Sequence, residues 1–412
     1  MTQPSPALNT RDDATADRSG REAGLPQLIV LLAASCMSVL GAVLLAPVLP
    51  QMTEQFAGVP GVDVLVPIML TVPSLVIALT APFTGFIADK IDRKRVLIVA
   101  MLAYAVVGTA PLYLNSLGAI VASRVLLGAC EAAIMTCCTT LIGDYWTGRR
   151  RARYLGLQTL VAAVAATVFL ALGGVLGGSG WRTPFWMYLM ALVLVVPMAV
   201  LIWQPAGHAA GTVTHRNLAP LPWRQLLAPC LVTIFGGIVF YALLVQLSFV
   251  LTGIGITSTA TIGGITAVMS LATAIGAGLF GQLSSRSPRT LLPVEFALSG
   301  LGLVVVFLGS SLPVVTIGAV LTGFGTGLLL PTLLTWAINR LTFEQRGRGT
   351  GVWTSTLFLG QFVSPILLTA IGASIGGLQA ALGVLGVLAG IMAVVTALTL
   401  RGVNQPLNAG HE

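Results

Sequence analysis

Gly85-Phe86-Ile87-Ala88-Asp89-Lys90-Ile91-Asp92-Arg93-Lys94-Arg95 is where a long apolar run stops and a burst of charge begins. Asp89 falls where a helix through that run would end, and a helix C-terminus already carries about half a negative charge, so a lone carboxylate there is disfavoured. The N-terminus of another helix arriving at the same face is its natural partner. Gly85, one turn earlier, lets such a helix pack close. Lys90, Arg93, Lys94 and Arg95 also act as a positive anchor that fixes the direction in which the neighbouring apolar runs cross a membrane.

The rest of the chain agrees that these runs cross one. Of its 412 residues 56% are apolar and 8% charged, with a mean hydropathy of +0.94, whereas about a quarter of a soluble globular chain is charged. The composition is that of a polytopic membrane protein. A net charge of +8 would suggest nucleic acid as partner of a soluble domain, but here the basic residues sit in short loops between apolar runs, where they orient the protein. The cysteines Cys36, Cys130, Cys137, Cys138 and Cys230 fall inside apolar runs without ligand spacing, so neither a disulfide framework nor a metal site is expected. Leu31-Leu32-Ala33-Ala34-Ser35-Cys36 faintly resembles a lipoprotein cleavage box, yet apolar sequence continues to Leu49, as in an uncleaved first span. No nucleotide-binding loop is present, so no cofactor is expected and energy must come from gradients.

Residues 1–24 are polar and read as a disordered cytoplasmic tail. Apolar stretches then recur at 25–49, 64–88, 96–114, 117–142, 155–178 and 184–203, forming an N-terminal half of six helices over 25–203. After a cytoplasmic linker at 204–226, a C-terminal half over 227–400 repeats the pattern at 227–252, 260–283, 291–310, 313–338, 350–372 and 377–400, before a tail at 401–412. The predicted fold class is therefore all-α, with twelve transmembrane helices. All but Arg124 and Arg182 of the 21 lysines and arginines fall on one side of that topology, which predicts cytoplasmic termini.

An internal repeat supports the two halves. Gly281, Leu283, Arg286 and Arg289 lie 196 residues after Gly85, Ile87, Lys90 and Arg93, and Arg346, Arg348 and Gly351 lie 195 after Arg151, Arg153 and Gly156. Two such halves place a substrate site between them near the midplane. The copies differ at one telling position, where Ser285 stands in place of Asp89. The eleventh helix begins near Gly349-Thr350-Gly351, and its positive end is a seat for Asp89 when the two halves rock together.

Ionisable groups inside spans are functional candidates by default. Arg124 and Glu131 lie seven residues apart on the fourth span, hence on one helical face and about 10 Å apart along it, with Glu131 near the midplane. Burial opposes a charge and a nearby arginine restores it, and in that balance a membrane carboxyl becomes able to load and release a proton. The same pair also suits a structural contact that fixes helix packing. Tyr241 and Gln246 on the seventh span, Trp353 and Gln361 on the eleventh and Gln158 on the fifth could each hydrogen-bond a ligand or simply join helices. His208, His215 and His411 all lie outside the spans and no carboxylates are paired within them, which argues against an intramembrane enzyme.

The opening stretch resembles the loop between the second and third helices of the major facilitator superfamily, G-x-x-x-D-[RK]-x-G-R-[KR]. Gly85, Asp89, Lys90, Arg93 and Lys94 match, and Asp92 replaces the second glycine. Arg124 to Ala133 is similar to that family's fourth-helix motif R-x-x-x-G, whose arginine is tied to proton transfer in proton-coupled exporters; R-x-x-x-G-x-x-E-A is shared with organic-anion and spinster-type lipid transporters. Gly173-Gly174-Val175-Leu176-Gly177-Gly178 resembles the antiporter signature G-P-x-x-G-G, with Gly174 in place of proline. The resemblance implies a monomeric secondary transporter of a bacterial cytoplasmic membrane, most like the drug:proton antiporter branch, that exports small amphiphilic molecules against protons. In that reading Arg124 and Glu131 couple protons, while Arg124, Glu131, Tyr241, Gln246, Trp353 and Gln361 are candidate substrate contacts. Gly85, Asp89, Lys90, Arg93, Lys94 and Gly351 form a conformational latch. Uptake or exchange of an organic anion, with Arg124 as its partner, and lysolipid transport are the alternatives.

Overall fold

The computed structural model describes residues 22–83, 92–205, 220–342, 345–400 and Leu407. Among them, twelve helical segments are long and apolar enough to cross a membrane: α1 Leu25–Gln55, α2 Val62–Phe83, α3 Arg93–Leu112, α4 Leu117–Tyr145, α5 Gly148–Gly177, α6 Thr183–Leu201, α7 Trp223–Gly253, α8 Thr259–Leu283, α9 Pro288–Leu308, α10 Leu312–Ile338, α11 Arg346–Ile375 and α12 Leu378–Thr399. Helices are the expected solution, because hydrocarbon offers no partner to a backbone amide and a helix satisfies its amides within the segment.

Hydrogen bonds gather the connections at two faces. On the face that carries the first and last helix ends, Gln27 Nε2 donates to the Leu201 carbonyl, the Arg93 amide to Gln204 Oε1 at 2.9 Å, and the Tyr145 hydroxyl to the Trp203 carbonyl at 2.6 Å. There too, the Leu407 amide donates to the Arg286 carbonyl and Asn339 Nδ2 to the Leu407 carbonyl. At the opposite face, Arg182 donates to the carbonyls of Pro111 and Leu114 and to Asn115 Oδ1, and Gln51 Nε2 to the Gly177 carbonyl. The first face, called here the terminal face, carries the basic clusters seen in the sequence.

The helix ends lie where the apolar runs predict them, with one systematic difference. α5 begins at Gly148 and α11 at Arg346, so Arg149, Arg150, Arg151 and Arg153 are helical rather than loop residues. A helix started outside the hydrocarbon keeps its backbone satisfied while long arginine stems reach back to water, so hydropathy alone marks only the buried part. Asp92 is the N-cap of α3, its carboxylate accepting from the Arg95 amide at 3.1 Å. The position where the loop pattern expects glycine thus starts a helix instead.

Within the N-terminal half α4 packs against α1, α2 and α3, and within the C-terminal half α9 packs against both α10 and α12. The halves meet chiefly along α2–α11 and α5–α8, pairs that exchange under the internal repeat. On the second seam Gly174 and Gly263 bring two backbones together. A Cβ at Gly174 would stand 2.5 Å from the Thr259 carbonyl oxygen and 2.7 Å from Gly263 Cα. Small residues permit this approach, and dispersion over the close surfaces holds it where lipid supplies no hydrophobic drive. With Leu44, Leu45 and Val48 of α1 fully buried beside it, the seam closes the molecule towards the face opposite the termini.

Gly174→Val is expected to force these helices apart at a cost of about 1–3 kcal/mol, the usual range for overpacking. Thermal unfolding of the detergent-purified protein measures it. Gly264→Ala, one residue beyond Gly263 but facing open space, should leave the melting temperature unchanged; equal melting for both variants would refute the seam.

Candidate functional site

The two ionisable residues of α4 are treated very differently by the fold. Arg124, 1% exposed, donates from Nη1 to the Tyr188 hydroxyl at 3.1 Å and from Nη2 to the carbonyls of Val107 and Gly108 at 3.1 and 3.0 Å. Its Cζ lies 5.4 Å from the centre of the Phe185 ring and 5.2 Å from that of Tyr188. The planar, five-donor guanidinium suits this task, since it meets two carbonyls and a hydroxyl while its faces lie over rings. Arg124 therefore ties α4 to α3 and α6 inside one half.

Glu131, at the middle of α4, is 1% exposed and has the opposite fate: its Oε1 is buried without a hydrogen-bond partner, and among the described residues no cation pairs with it within 4.0 Å. The carboxyl abuts Gly41 of α1, where a Cβ would collide with Oε1 and would lie 3.3 Å from the Tyr104 hydroxyl. Tyr104 donates to the Met37 carbonyl, and its ring lies 5.3 Å from that of Tyr188. The Tyr241 hydroxyl, arriving from α7 of the other half, donates to the Ala42 carbonyl at 3.1 Å. A buried acid is thus seated on bare backbone where the two halves touch, with the cation of its own helix already bonded elsewhere.

A cavity of about 460 Å³ lies between the halves. Val43, two residues beyond Gly41, lines it with Ala162, Ala166 and Leu170 of α5, Phe240 and Leu244 of α7, Met269 and Ala277 of α8, Leu330 and Leu334 of α10 and Trp353 of α11. Thr159, Ser270, Thr273, Thr322 and Thr326 add hydroxyls, and among the described residues no charged side chain lines it. Thr273, Thr322 and Thr326 each donate to a carbonyl of their own helix, so they face a ligand chiefly as acceptors. Trp353 near the start of α11, Ala277 near the end of α8 and Leu334 near the end of α10 place the cavity towards the terminal face, while Thr159 and Ala162 line it from the middle of α5.

Of the six residues named as candidate contacts, Trp353 lines the cavity. Gln361 instead bridges the halves, accepting from the Ser74 hydroxyl at 3.2 Å, and Gln246 is buried in α7 with Nε2 unpartnered. Gln158 donates to the Ser35 hydroxyl at 2.8 Å. For the latch, Gly85, Asp89 and Lys90 lie outside the described residues. The segment just before them abuts α11: a Cβ at Gly351 would be 2.9 Å from the Ala81 carbonyl oxygen, and the Ser355 hydroxyl donates to the Ala78 carbonyl at 2.6 Å. Arg93 is 2% exposed and forms an ion pair with Asp144 at the end of α4, while Lys94 Nζ donates to the Ala199 carbonyl. Both thus bind within their own half.

A further buried acid, Glu295, lies outside the candidates that the sequence marks. Glu295 is 1% exposed, shares a 2.6 Å hydrogen bond with the Thr332 hydroxyl and has Oε2 unpartnered. The signal existed, a single carboxyl in an apolar run. The expected span starts at 291, four residues before Glu295, whereas α9 begins at Pro288, seven before it.

The architecture and the cavity can be set beside known proteins. The profile of the Major Facilitator Superfamily matches residues 31–286 and 229–411. Tetracycline resistance protein, class H, of Pasteurella multocida is 22% identical over 190 residues, 46% of this chain and 47% of that protein, so that match spans about half of the relative's length. The 3-(3-hydroxy-phenyl)propionate transporter of Escherichia coli (strain K12) is 26% identical over 78% of this chain and 82% of that protein. The crystal structure of a D-xylose-proton symporter superposes with a TM-score of 0.77 at 13% identity, covering 93% of this chain and 98% of that one. The chain belongs to the Major Facilitator Superfamily, whose members carry small molecules across membranes.

Proposed function

We propose that this protein is a proton-coupled secondary transporter that exports small, largely apolar or amphiphilic molecules by alternating access. The observation that carries the reading is the cavity, which offers apolar walls and acceptor hydroxyls and, among the described residues, no charge. A charged substrate would lose its hydration there without a partner, whereas an apolar one is favoured by burial. The same-sided basic loops support a bacterial cytoplasmic membrane with the terminal face inside. The name of the tetracycline resistance relative is consistent with export.

Proton coupling rests on Glu131. A carboxyl without a hydrogen bond at Oε1, seated beside the α1–α7 contact, is stable in different protonation states as that contact opens and closes, because opening admits water. Val43 connects its seat to the cavity wall. Trp353 is the candidate that remains as a substrate contact.

A second reading, uptake of an organic anion, is favoured by the match to the hydroxyphenylpropionate transporter over most of the chain. It would use Arg124 as the anion's partner. The guanidinium is instead bonded to Tyr188, Val107 and Gly108, and an anion would have to displace those bonds.

Flux in proteoliposomes under imposed pH gradients, measured with neutral, cationic and anionic aromatic compounds, separates the two readings. Gradient-driven accumulation of neutral amphiphiles is expected; accumulation of anions alone would replace the export reading with the uptake one. Glu131→Gln should abolish gradient-driven flux while leaving ligand exchange measurable, since the amide keeps the shape and cannot cycle a proton. Uphill transport with ordinary pH dependence in that variant would rule out its coupling role.

Arg124→Lys should lose both transport and thermal stability, because a point charge cannot meet two carbonyls and a hydroxyl and stack on rings. Tyr188→Phe, which removes one bond, should cost about 0.5–1.5 kcal/mol. Near-wild-type melting for the lysine variant would show that the network is dispensable.

For the latch, Asp89→Asn should raise labelling of cysteines introduced along the cavity at Ala277 and Leu334, while Ser285→Ala should change it little. A charge at a helix end is worth up to ~2 kcal/mol when partly buried, enough to shift two states of similar energy by about tenfold. Equal labelling in both variants would reduce the loop to a topological anchor.

A further inference from the structure

Glu295 sits seven residues into α9, about 10 Å along the helix from its terminal-face end, and no part of the transport reading uses it. We propose that Glu295 is a second proton-binding site, and that Thr332 relays its occupancy to the segment of α10 around Pro331 that walls the cavity.

The argument is a count of hydrogens. Thr332 Oγ1 lies 2.6 Å from Glu295 Oε1 and 3.0 Å from the Leu328 carbonyl oxygen. Its hydroxyl has one proton and cannot donate to both. With the acid protonated, Glu295 donates to Thr332 and Thr332 donates to Leu328, so both contacts are hydrogen bonds. With the acid ionised, the hydroxyl must turn to the carboxylate and release the Leu328 carbonyl, while Oε2 stays buried without a partner, an arrangement that is costly away from water.

Among the described residues, the helices packed on the acid offer the ionised form no charge partner. α10 and α12, the two helices packed on α9, contain no Asp, Glu, His, Lys, Arg, Tyr or Cys. α9 itself has Arg289 at its start, six residues before Glu295. α7 reaches the region through Phe235, whose ring lies 5.7 Å from that of Phe296, and its titratable groups are Arg224, Cys230 and Tyr241. The Leu407 segment meets α9's loop through the Arg286 carbonyl.

The relay follows from local backbone chemistry. Pro331 has no amide proton, so the carbonyl of Gly327, one turn earlier, lacks its helical partner. The Leu328 carbonyl is next in line and takes the Thr332 hydroxyl besides its helical bond. Removing that bond by ionising Glu295 loosens α10 where the helix is already weakest. Leu330, Pro331 and Leu334 on this stretch line the cavity.

Infrared spectroscopy of the purified full-length protein tests the site without any transport, and so independently of the coupling role given to Glu131. A protonated-carboxyl band is expected that disappears in Glu295→Gln and persists in Glu131→Gln. Thr332→Val, which removes the hydroxyl and keeps the shape, should shift that band. A spectrum unchanged by Glu295→Gln overturns the proposal; if that variant does not fold, a band unmoved by Thr332→Val does so. The relay is read by labelling Leu334→Cys in acid and alkaline buffer. The ratio of its rate to that in a Glu295→Gln background should change with pH, and a constant ratio would overturn the relay.

Discussion

Hydrocarbon donates and accepts no hydrogen bonds, so every polar atom placed in it must be met by the chain itself or remain at a cost. Most hydroxyls within the spans obey this constraint, while single atoms of Gln246, Ser248, Trp336 and Trp353 stay unmet. Serine and threonine hydroxyls within the spans turn back to carbonyls of their own helices, as at Ser35, Thr233 and Thr266. Arg124 is met by two carbonyls, a hydroxyl and two rings. Against that background the two acids with unpartnered oxygens, Glu131 and Glu295, are conspicuous.

Their placement also differs in kind. Glu131 lies beside a contact between halves, where Tyr241 of one reaches the α1 backbone of the other. Glu295 lies within one half, behind a helix that walls the cavity. On the proposed transport cycle an acid at the contact between halves would sense its opening directly, whereas an acid inside a half could act only through the shape of its neighbour. Thr332 and Pro331 supply such a path.

The contacts between halves follow the same economy. Glycine backbones at Gly174 and Gly263 close one seam, and the α2–α11 seam is held by Ser74–Gln361 and Ser355–Ala78 bonds. Among the described residues few directional bonds cross either seam, the Thr167–Ser270 bond at 3.1 Å being one on the α5–α8 side. Two halves joined by packing and a handful of hydrogen bonds can exchange one closed seam for another at small net cost, which is what the proposed alternating access would require.

Twelve helices, their order, the two halves and the charged face were legible in the sequence, because length and hydropathy report a solvent that admits nothing else. Candidates such as Arg124 and Glu131 were legible for the same reason, being charges where charges are expensive. Their roles were not. Whether a guanidinium is free for an anion depends on where carbonyls of α3 and a tyrosine of α6 arrive, and whether Gln361 faces a ligand depends on Ser74 of a helix 287 positions away. The burial of Glu295 was not legible, because hydropathy sets the start of a span only to within about a turn, and that turn separates an interfacial acid from a buried one. Composition and period determined what crosses the membrane; the packing of distant segments decided which polar atoms were met and which were left over.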